Sequence, residues 1–317
     1  MKAPAIAVVG VGHMGGLHAR KLASLQEEGE LRLSGVFDRD AARAEEIAFE
    51  VGCPIFETLD ELIGASDAAC IAVPSVDHAE TAARLLEAGL DVLVEKPLAT
   101  TRAQARELFT LAESRDRILQ VGHVERFSGA FQEVRSVITR PLFMEVHRIG
   151  PYPARATDAG VVLDLMIHDL DLVSLLCGSE IESVEAVGIP VLSRTEDIAN
   201  ARLRFAGGCV VNLTASRVSQ DRMRKIRVFQ PDAYLSIDFG SGQITAVKRQ
   251  GELGRDMKIS SEQLQFDAGD ALLAQDCAFA RAVTTRDKPE VSGEDGYRAL
   301  DLALRIAESF PEFGEIA

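Results

Sequence analysis

The chain lacks a C-x-x-C pair, lacks any apolar run near the roughly 18 residues a membrane span needs, and has no excess of basic residues. Its five cysteines (Cys53, Cys70, Cys177, Cys209, Cys277) are scattered and odd in number. That argues against a disulfide framework or a zinc knuckle and fits a reducing compartment; no metal site is expected. Asp and Glu outnumber Lys and Arg by 49 to 34, a net charge of −15. Such a field repels phosphate, so neither nucleic acid nor an anionic membrane is expected as the main partner. A local basic pocket for a phosphorylated ligand stays open. No internal repeat, low-complexity stretch or long linker interrupts the sequence. The opening MKAPAIAVVG superficially resembles a signal peptide, but the glycines after it mark a strand and turn, so a soluble, cytoplasmic protein is expected.

What is present is a change of rhythm. Length alone, 317 residues, suggests two domains. Over residues 1–122, short apolar runs (5–10, 31–38, 67–74, 91–97, 118–123) alternate with helical patterns (18–27, 39–51, 77–88, 101–114). That alternation predicts an α/β Rossmann-type domain with a doubly wound parallel sheet. Residues 123–317 read as an α+β domain: a helix over 127–139, a strand over 143–150, a helix over 160–177, then strands to about 249. Hairpin signals at Gly207-Gly208 and Gly240-Ser241-Gly242 predict an open, largely antiparallel sheet. Two more helices (about 270–285 and 294–309) follow, and the last can pack back on the first domain. An open sheet face with exposed apolar surface calls for a covering partner.

Gly10-Val11-Gly12-His13-Met14-Gly15 is G-x-G-x-x-G directly after a strand and opening a helix. The first glycine permits a tight turn, the second a close backbone approach to a pyrophosphate, the third close helix–strand packing. The helix N-terminus supplies N–H groups and positive potential for the phosphates. Asp38 ends the second strand, where a carboxylate accepts from ribose hydroxyls and repels a 2′-phosphate. NAD is therefore favoured over NADP, although Arg39 beside it softens the preference.

VEKPLATT (94–101) lies at the end of a parallel strand, the edge where such sheets bind ligands. Lys96 there can face the reactive ring of a cofactor or be a plain surface lysine. LDLMIHDLDLV (163–173) sets Asp164 and His168 four residues apart on one helix face, with Asp171 one turn beyond, in otherwise apolar company. A histidine with a carboxylate to orient it suits removal of a hydroxyl proton, and also suits a buried structural pair.

GVGHMGGLHARKL, AVPSVDHAE, VEKPLATT and Asp-x-x-x-His-x-x-Asp, in this order along nearly the whole chain, resemble the Gfo/Idh/MocA oxidoreductases. The resemblance implies a catalytic Lys96 with Glu95 before it, and the Asp164–His168 pair as partner groups. It also implies that Pro74 and His78 lie near the nicotinamide, that Arg126 and Phe127 lie near the active site, and that the protein is a homo-dimer or homo-tetramer through the second sheet. Met166 stands where the family often has glycine, which would reshape a sugar pocket. VGHVERFSGAF (121–131) with the DLMIHDLD helix is most similar to the branch that oxidises the 3-hydroxyl of UDP-N-acetylglucosamine on the way to a 2,3-diamino sugar of lipid A. Tyr152 and Arg155 in GPYPARATDAG (150–160) suit stacking and a diphosphate, or form an ordinary connector. His123 is a substrate contact or a hinge residue. Arg217, Arg222, Arg224 and Lys225 border an interface or form a solvated basic loop, the latter being favoured. A free sugar or inositol as substrate, or a non-catalytic nucleotide sensor, remain alternatives.

Overall fold

The computed structural model describes residues 3–152, 159–251, 255–266 and 269–311. In chain order the first elements are β1 (Ala5–Val9), α1 (His13–Glu27), β2 (Arg32–Phe37), α2 (Ala41–Val51), α3 (Leu59–Ala65), β3 (Ala68–Ile71), α4 (His78–Glu87), β4 (Asp91–Glu95), α5 (Arg102–Ser114) and β5 (Leu119–Gly122). After them come α6 (Gly129–Arg135), β6 (Phe143–Ile149), α7 (Ile167–Cys177), β7 (Ile181–Ile189), β8 (Ile198–Phe205), β9 (Val210–Ser216) and β10 (Met223–Gln230). The remainder is β11 (Ala233–Asp238), β12 (Gln243–Gln250), β13 (Lys258–Gln265), α8 (Ala271–Thr285) and α9 (Gly293–Glu308). They form two compact units, Met1–Phe127 with Asp270–Leu300, and Ser128–Gly269 with Asp301–Ala317. None of the described helices is long and apolar enough to cross a membrane.

The first unit is a five-stranded parallel sheet in the order β2-β1-β3-β4-β5. Strands β1, β3, β4 and β5 are buried at every position, as continuous apolar runs between helices require. On one face, Val8, Cys70 and Leu93 pack in a cluster with Ala19 and Leu22 of α1 and Phe279, Ala280 and Val283 of α8. Asp40, Thr58 and Thr101 cap α2, α3 and α5 by accepting a backbone N–H three residues on. Helix α3 is absent from the alternating pattern because only Leu62 of its seven residues is buried. Its signal was the cap itself, Thr58-x-x-Glu61.

The second unit carries an eight-stranded sheet in the order β13-β12-β11-β10-β6-β9-β8-β7. All pairings are antiparallel except β6 with β9. Strand β8 alternates strictly, with Ala199, Ala201, Leu203 and Phe205 buried and Asn200, Arg202 and Arg204 outward. The outward face is mixed: Arg202 donates to Asn212, Asn200 to Thr214, and Arg227 pairs with Glu145, while half-buried Phe143, Phe229 and Tyr234 form a ring cluster beside them, with Val210 and Val247 on the same face. Strand β13, KISSEQLQ, is an almost wholly exposed edge strand, so no buried stripe announced it. The helix expected over 127–139 shortens to α6 behind a 3₁₀ turn (Val124–Phe127), because Ser128 caps a new start.

The helix expected over 160–177 opens with a π-helical turn, Val162–Met166, in which the Ile167 N–H donates to the Val162 carbonyl. Asp169 on α7 accepts both guanidinium arms of Arg148 on β6, at 2.8 and 2.9 Å, with both residues buried. A bidentate buried pair of this kind costs little while intact and much when one partner goes. Arg148→Met is expected to destabilise the chain by about 3–5 kcal/mol, read from the urea midpoint, and the double variant Arg148→Met/Asp169→Leu to regain most of it.

Candidate active site

Gly10 closes β1 with φ of +80°, a value L side chains rarely adopt, and a Cβ there would sit 2.8 Å from the Val73 nitrogen. A Cβ at Gly15 would collide with the Gly10 carbonyl, so only glycine lets α1 approach the turn. Gly12, at the N-cap of α1, faces open space: a Cβ there meets nothing within 4 Å. His13 beside it is exposed and Met14 half-buried. This turn lies between β1 and β3, where the strand order reverses, and opens into a groove of about 530 Å³ lined by Gly10, Gly12, Asp38, Arg39, Arg43 and Pro74.

Asp38 takes a second task in the groove. One carboxylate oxygen accepts from the Val11 N–H at 2.7 Å, and the other from the Asp40 N–H at 2.9 Å. The acid thus holds the glycine turn and also lines the groove. Arg43 donates to the Val11 carbonyl, and exposed Arg39 pairs with Asp77. A cradle of backbone beneath open space, a helix N-terminus and a carboxylate at the second strand together fit a dinucleotide.

At the end of β4, Glu95 is buried, Lys96 half-buried, and a cis peptide joins Lys96 to Pro97. His78 is buried with Nδ1 at 2.7 Å from the Pro97 carbonyl and Nε2 at 2.9 Å from the Val73 carbonyl. Its ring therefore ties the loop after β3 to the turn after Lys96. Glu95 meets His18 of α1, whose other nitrogen meets Asp276 of α8. Neither Asp276 nor Asp169 was singled out from sequence, and no local pattern marks them.

In the second unit, Asp164 and His168 belong to the half-buried face of the π turn and α7, whereas Asp169 and Asp171 are buried. Met166 is fully buried in the core. Tyr152 is exposed, with the Arg217 guanidinium 5.9 Å from its ring centre; Arg155 lies outside the described residues. Arg217 departs from the solvated loop expected of it. It is buried, donates to Asp197, Ser193 and the Ala159 carbonyl, and anchors the hairpin turn after β7. Asp197 is held well below the ordinary carboxylate range: burial opposes this, but the Leu192, Ser193 and Val191 donors and Arg217 outweigh it. Exposed Arg222 keeps the expected loop placement, whereas Arg224 and Lys225 stand on β10, where Lys225 pairs with Asp238.

His123, Arg126 and Phe127 are buried in the first unit. Arg126 donates to the Glu290 carbonyl at 3.1 Å and pairs with Asp295 at 3.5 Å. Its cation is thus committed at least in part to the start of α9.

Residues 5–123 match the model of an oxidoreductase family with an NAD-binding Rossmann fold (GFO_IDH_MocA), and residues 126–235 match the Gfo/Idh/MocA C-terminal domain. The chain is 35% identical to UDP-N-acetylglucosamine 3-dehydrogenase of Acidithiobacillus ferrooxidans over 96% of its length and 97% of that protein. A solved structure of that dehydrogenase superposes with a TM-score of 0.91 at 34% identity, covering 98% of both chains. Inositol 2-dehydrogenase of Leifsonia xyli is 32% identical over 63% of the chain and 60% of its own length. The fold also matches scyllo-inositol dehydrogenase of Lactobacillus casei with NAD(H) and scyllo-inositol bound, at a TM-score of 0.81 and 20% identity over 98% of this chain and 97% of that one.

The open space at Gly12 yields a clean test. Gly12→Ala is expected to fold with an unchanged melting temperature and to weaken NAD about tenfold, some 1.4 kcal/mol, in calorimetric titration. Gly15→Ala, which collides with backbone, should lower stability as well.

Proposed function

Because the chain belongs to the Gfo/Idh/MocA oxidoreductases, we propose that it is an NAD-dependent dehydrogenase that oxidises the 3-hydroxyl of UDP-N-acetylglucosamine to a 3-keto sugar. The observation that carries this reading is coverage. Likeness to a UDP-N-acetylglucosamine 3-dehydrogenase runs through 96% of the chain, whereas the inositol 2-dehydrogenase of Leifsonia xyli aligns with 63%. A 3-keto sugar is what an aminotransferase needs to make a 2,3-diamino sugar, and lipid A synthesis in the cytoplasm is the proposed setting.

The chemistry follows from the side chains. NAD, when bound, supplies the hydride acceptor. His168 takes the hydroxyl proton, since a neutral imidazole is a base matched to neutral pH. Asp164, one turn earlier on the half-buried face, orients the ring and favours its protonated form. Lys96 donates to the same oxygen and stabilises the negative charge that develops on it. Asp38, Gly10, Gly12 and Gly15 hold the cofactor, with His13, Met14, Arg39, Pro74, His78 and Glu95 around it. The proposed substrate contacts are His123, Arg126, Phe127, Tyr152 and Arg155. The outward face of the second sheet, with Phe143, Phe229 and Tyr234 among its polar groups, is proposed as a homo-oligomer interface, and elution of the purified protein as a monomer at micromolar concentration would count against it.

The test is NADH formation from NAD and UDP-N-acetylglucosamine with a carbonyl trap present. UDP-glucose, free N-acetylglucosamine, myo-inositol and NADP are the controls. NADH is expected with the N-acetylated UDP-sugar. Lys96→Ala and His168→Ala are each expected to lower kcat by about 10²–10⁴ with NAD binding retained. Turnover of myo-inositol alone would replace the nucleotide sugar with a polyol.

A further inference from the structure

Three ionisable side chains from distant parts of the sequence meet inside the first unit. His18 Nδ1 lies 2.8 and 3.0 Å from the two carboxylate oxygens of Asp276, and its Nε2 lies 3.1 Å from Glu95 Oε1. His18 and Asp276 are wholly buried, and Glu95 is 6% exposed. A neutral imidazole has one N–H and can donate to only one carboxylate; donating to two ionised carboxylates takes imidazolium. Burial opposes that charge, but the Asp276 charge and hydrogen bond, followed by those of Glu95, lift the His18 pKa to about 10. Burial also works against ionised Glu95, and is outweighed by the His18 hydrogen bond and charge with help from Lys96 and His78, so this carboxyl sits below the ordinary glutamate range. Asp276 is the group shifted upward, by burial and by the charges of Glu95 and Asp270.

The backbone around Glu95 is cut to fit it. Glu95 pairs in register with Gly122 of β5, and a Cβ at Gly122 would collide with the Glu95 carboxylate. Strand β4 ends at Glu95 and Lys96 follows directly, so a carboxylate seated in this notch fixes the turn that carries Lys96. His18, Cys70 and Asp276 also bring one ligand-type atom each within 4.8 Å of one another. Both imidazole nitrogens are already spent on carboxylates, which makes this an ion network rather than a metal set.

We propose that His18, clamped between Asp276 and Glu95, is a positioning residue that seats the Glu95 carboxylate and through it sets Lys96 for the hydride step. The activity arm rests on the dehydrogenase reading above. The charged and titratable groups facing the clamp are Lys96 on its own turn, His78 of α4, Cys70 of β3 and Asp270 before α8, which is itself paired with Lys21.

The test uses the full chain with His18→Gln, Asp276→Asn, Glu95→Gln and His18→Gln/Glu95→Gln. Glutamate labelled at the side-chain carboxyl with ¹³C reports Glu95, identified by the signal lost in Glu95→Gln. In the wild type that carboxyl stays ionised through the working range. In His18→Gln burial is no longer opposed, so its titration is expected to move up by at least one pH unit, about tenfold in protonation. kcat then falls as pH falls through the new value, with KM for NAD changed less than twofold. Glu95→Gln lowers kcat without that acid limb, and adding His18→Gln to it costs less than a further twofold.

Should His18→Gln fail to fold, Asp276→Asn carries the test. It lowers the His18 pKa from about 10, so activity is expected to fall as pH rises through the lowered value. An unmoved Glu95 titration, or full multiplicative loss in the double variant, would overturn the proposal. A wild type silent with every sugar would sink the dehydrogenase reading instead, and the carboxyl titration would still decide this one.

Discussion

A carboxylate at the buried end of a parallel strand needs a cation to meet it, and at Glu95 that need organises the first unit. The cation is His18 on α1, the helix that the glycine turn opens, so the helix axis is tied to the strand end next to Lys96. An imidazolium buried between two elements needs a second carboxylate, and the chain supplies Asp276, 258 residues away on α8. Asp276 belongs to the segment Asp270–Leu300, which forms one unit with Met1–Phe127 and also places Phe279, Ala280 and Val283 in its apolar core. Burying such a network contributes little net stability, because desolvation offsets the attraction, but breaking it leaves an unpaired charge. Its effect is registration: α1, α8 and β4 fit together in one arrangement.

What could be read beforehand divides along local and non-local lines. The alternation of apolar runs and helices and the G-x-G-x-x-G turn are local patterns, and the five parallel strands follow them closely. Helix α3 and strand β13 bury too little apolar surface to leave a period, although the cap at Thr58 and Glu61 was legible. Asp164 sits in the π turn at Val162–Met166 and His168 on α7 behind it, so the four-residue spacing was legible while the break from α-helical backbone was not. Arg217 was misplaced for a different reason. A basic run looks solvated until the buried Asp197, 20 residues away, is known to face it. Asp169 and Asp276 were invisible in the same way, because their partners Arg148 and His18 are 21 and 258 residues distant.

The same device serves each candidate reactive side chain. Lys96 is half-buried, and the residue before it, Glu95, is buried in an ion network that spans helix and strand. His168 is half-buried, and the residue after it, Asp169, is buried in a bidentate pair with Arg148 of β6. A long side chain at a strand end or an imidazole on a helix has several rotamers, and a reactive group must be held within about half an ångström. Anchoring the sequence neighbour fixes the backbone that carries the candidate residue. The buried aspartate and glutamate are therefore where tolerance to substitution should be lowest outside the reacting groups, although neither carries a motif of its own.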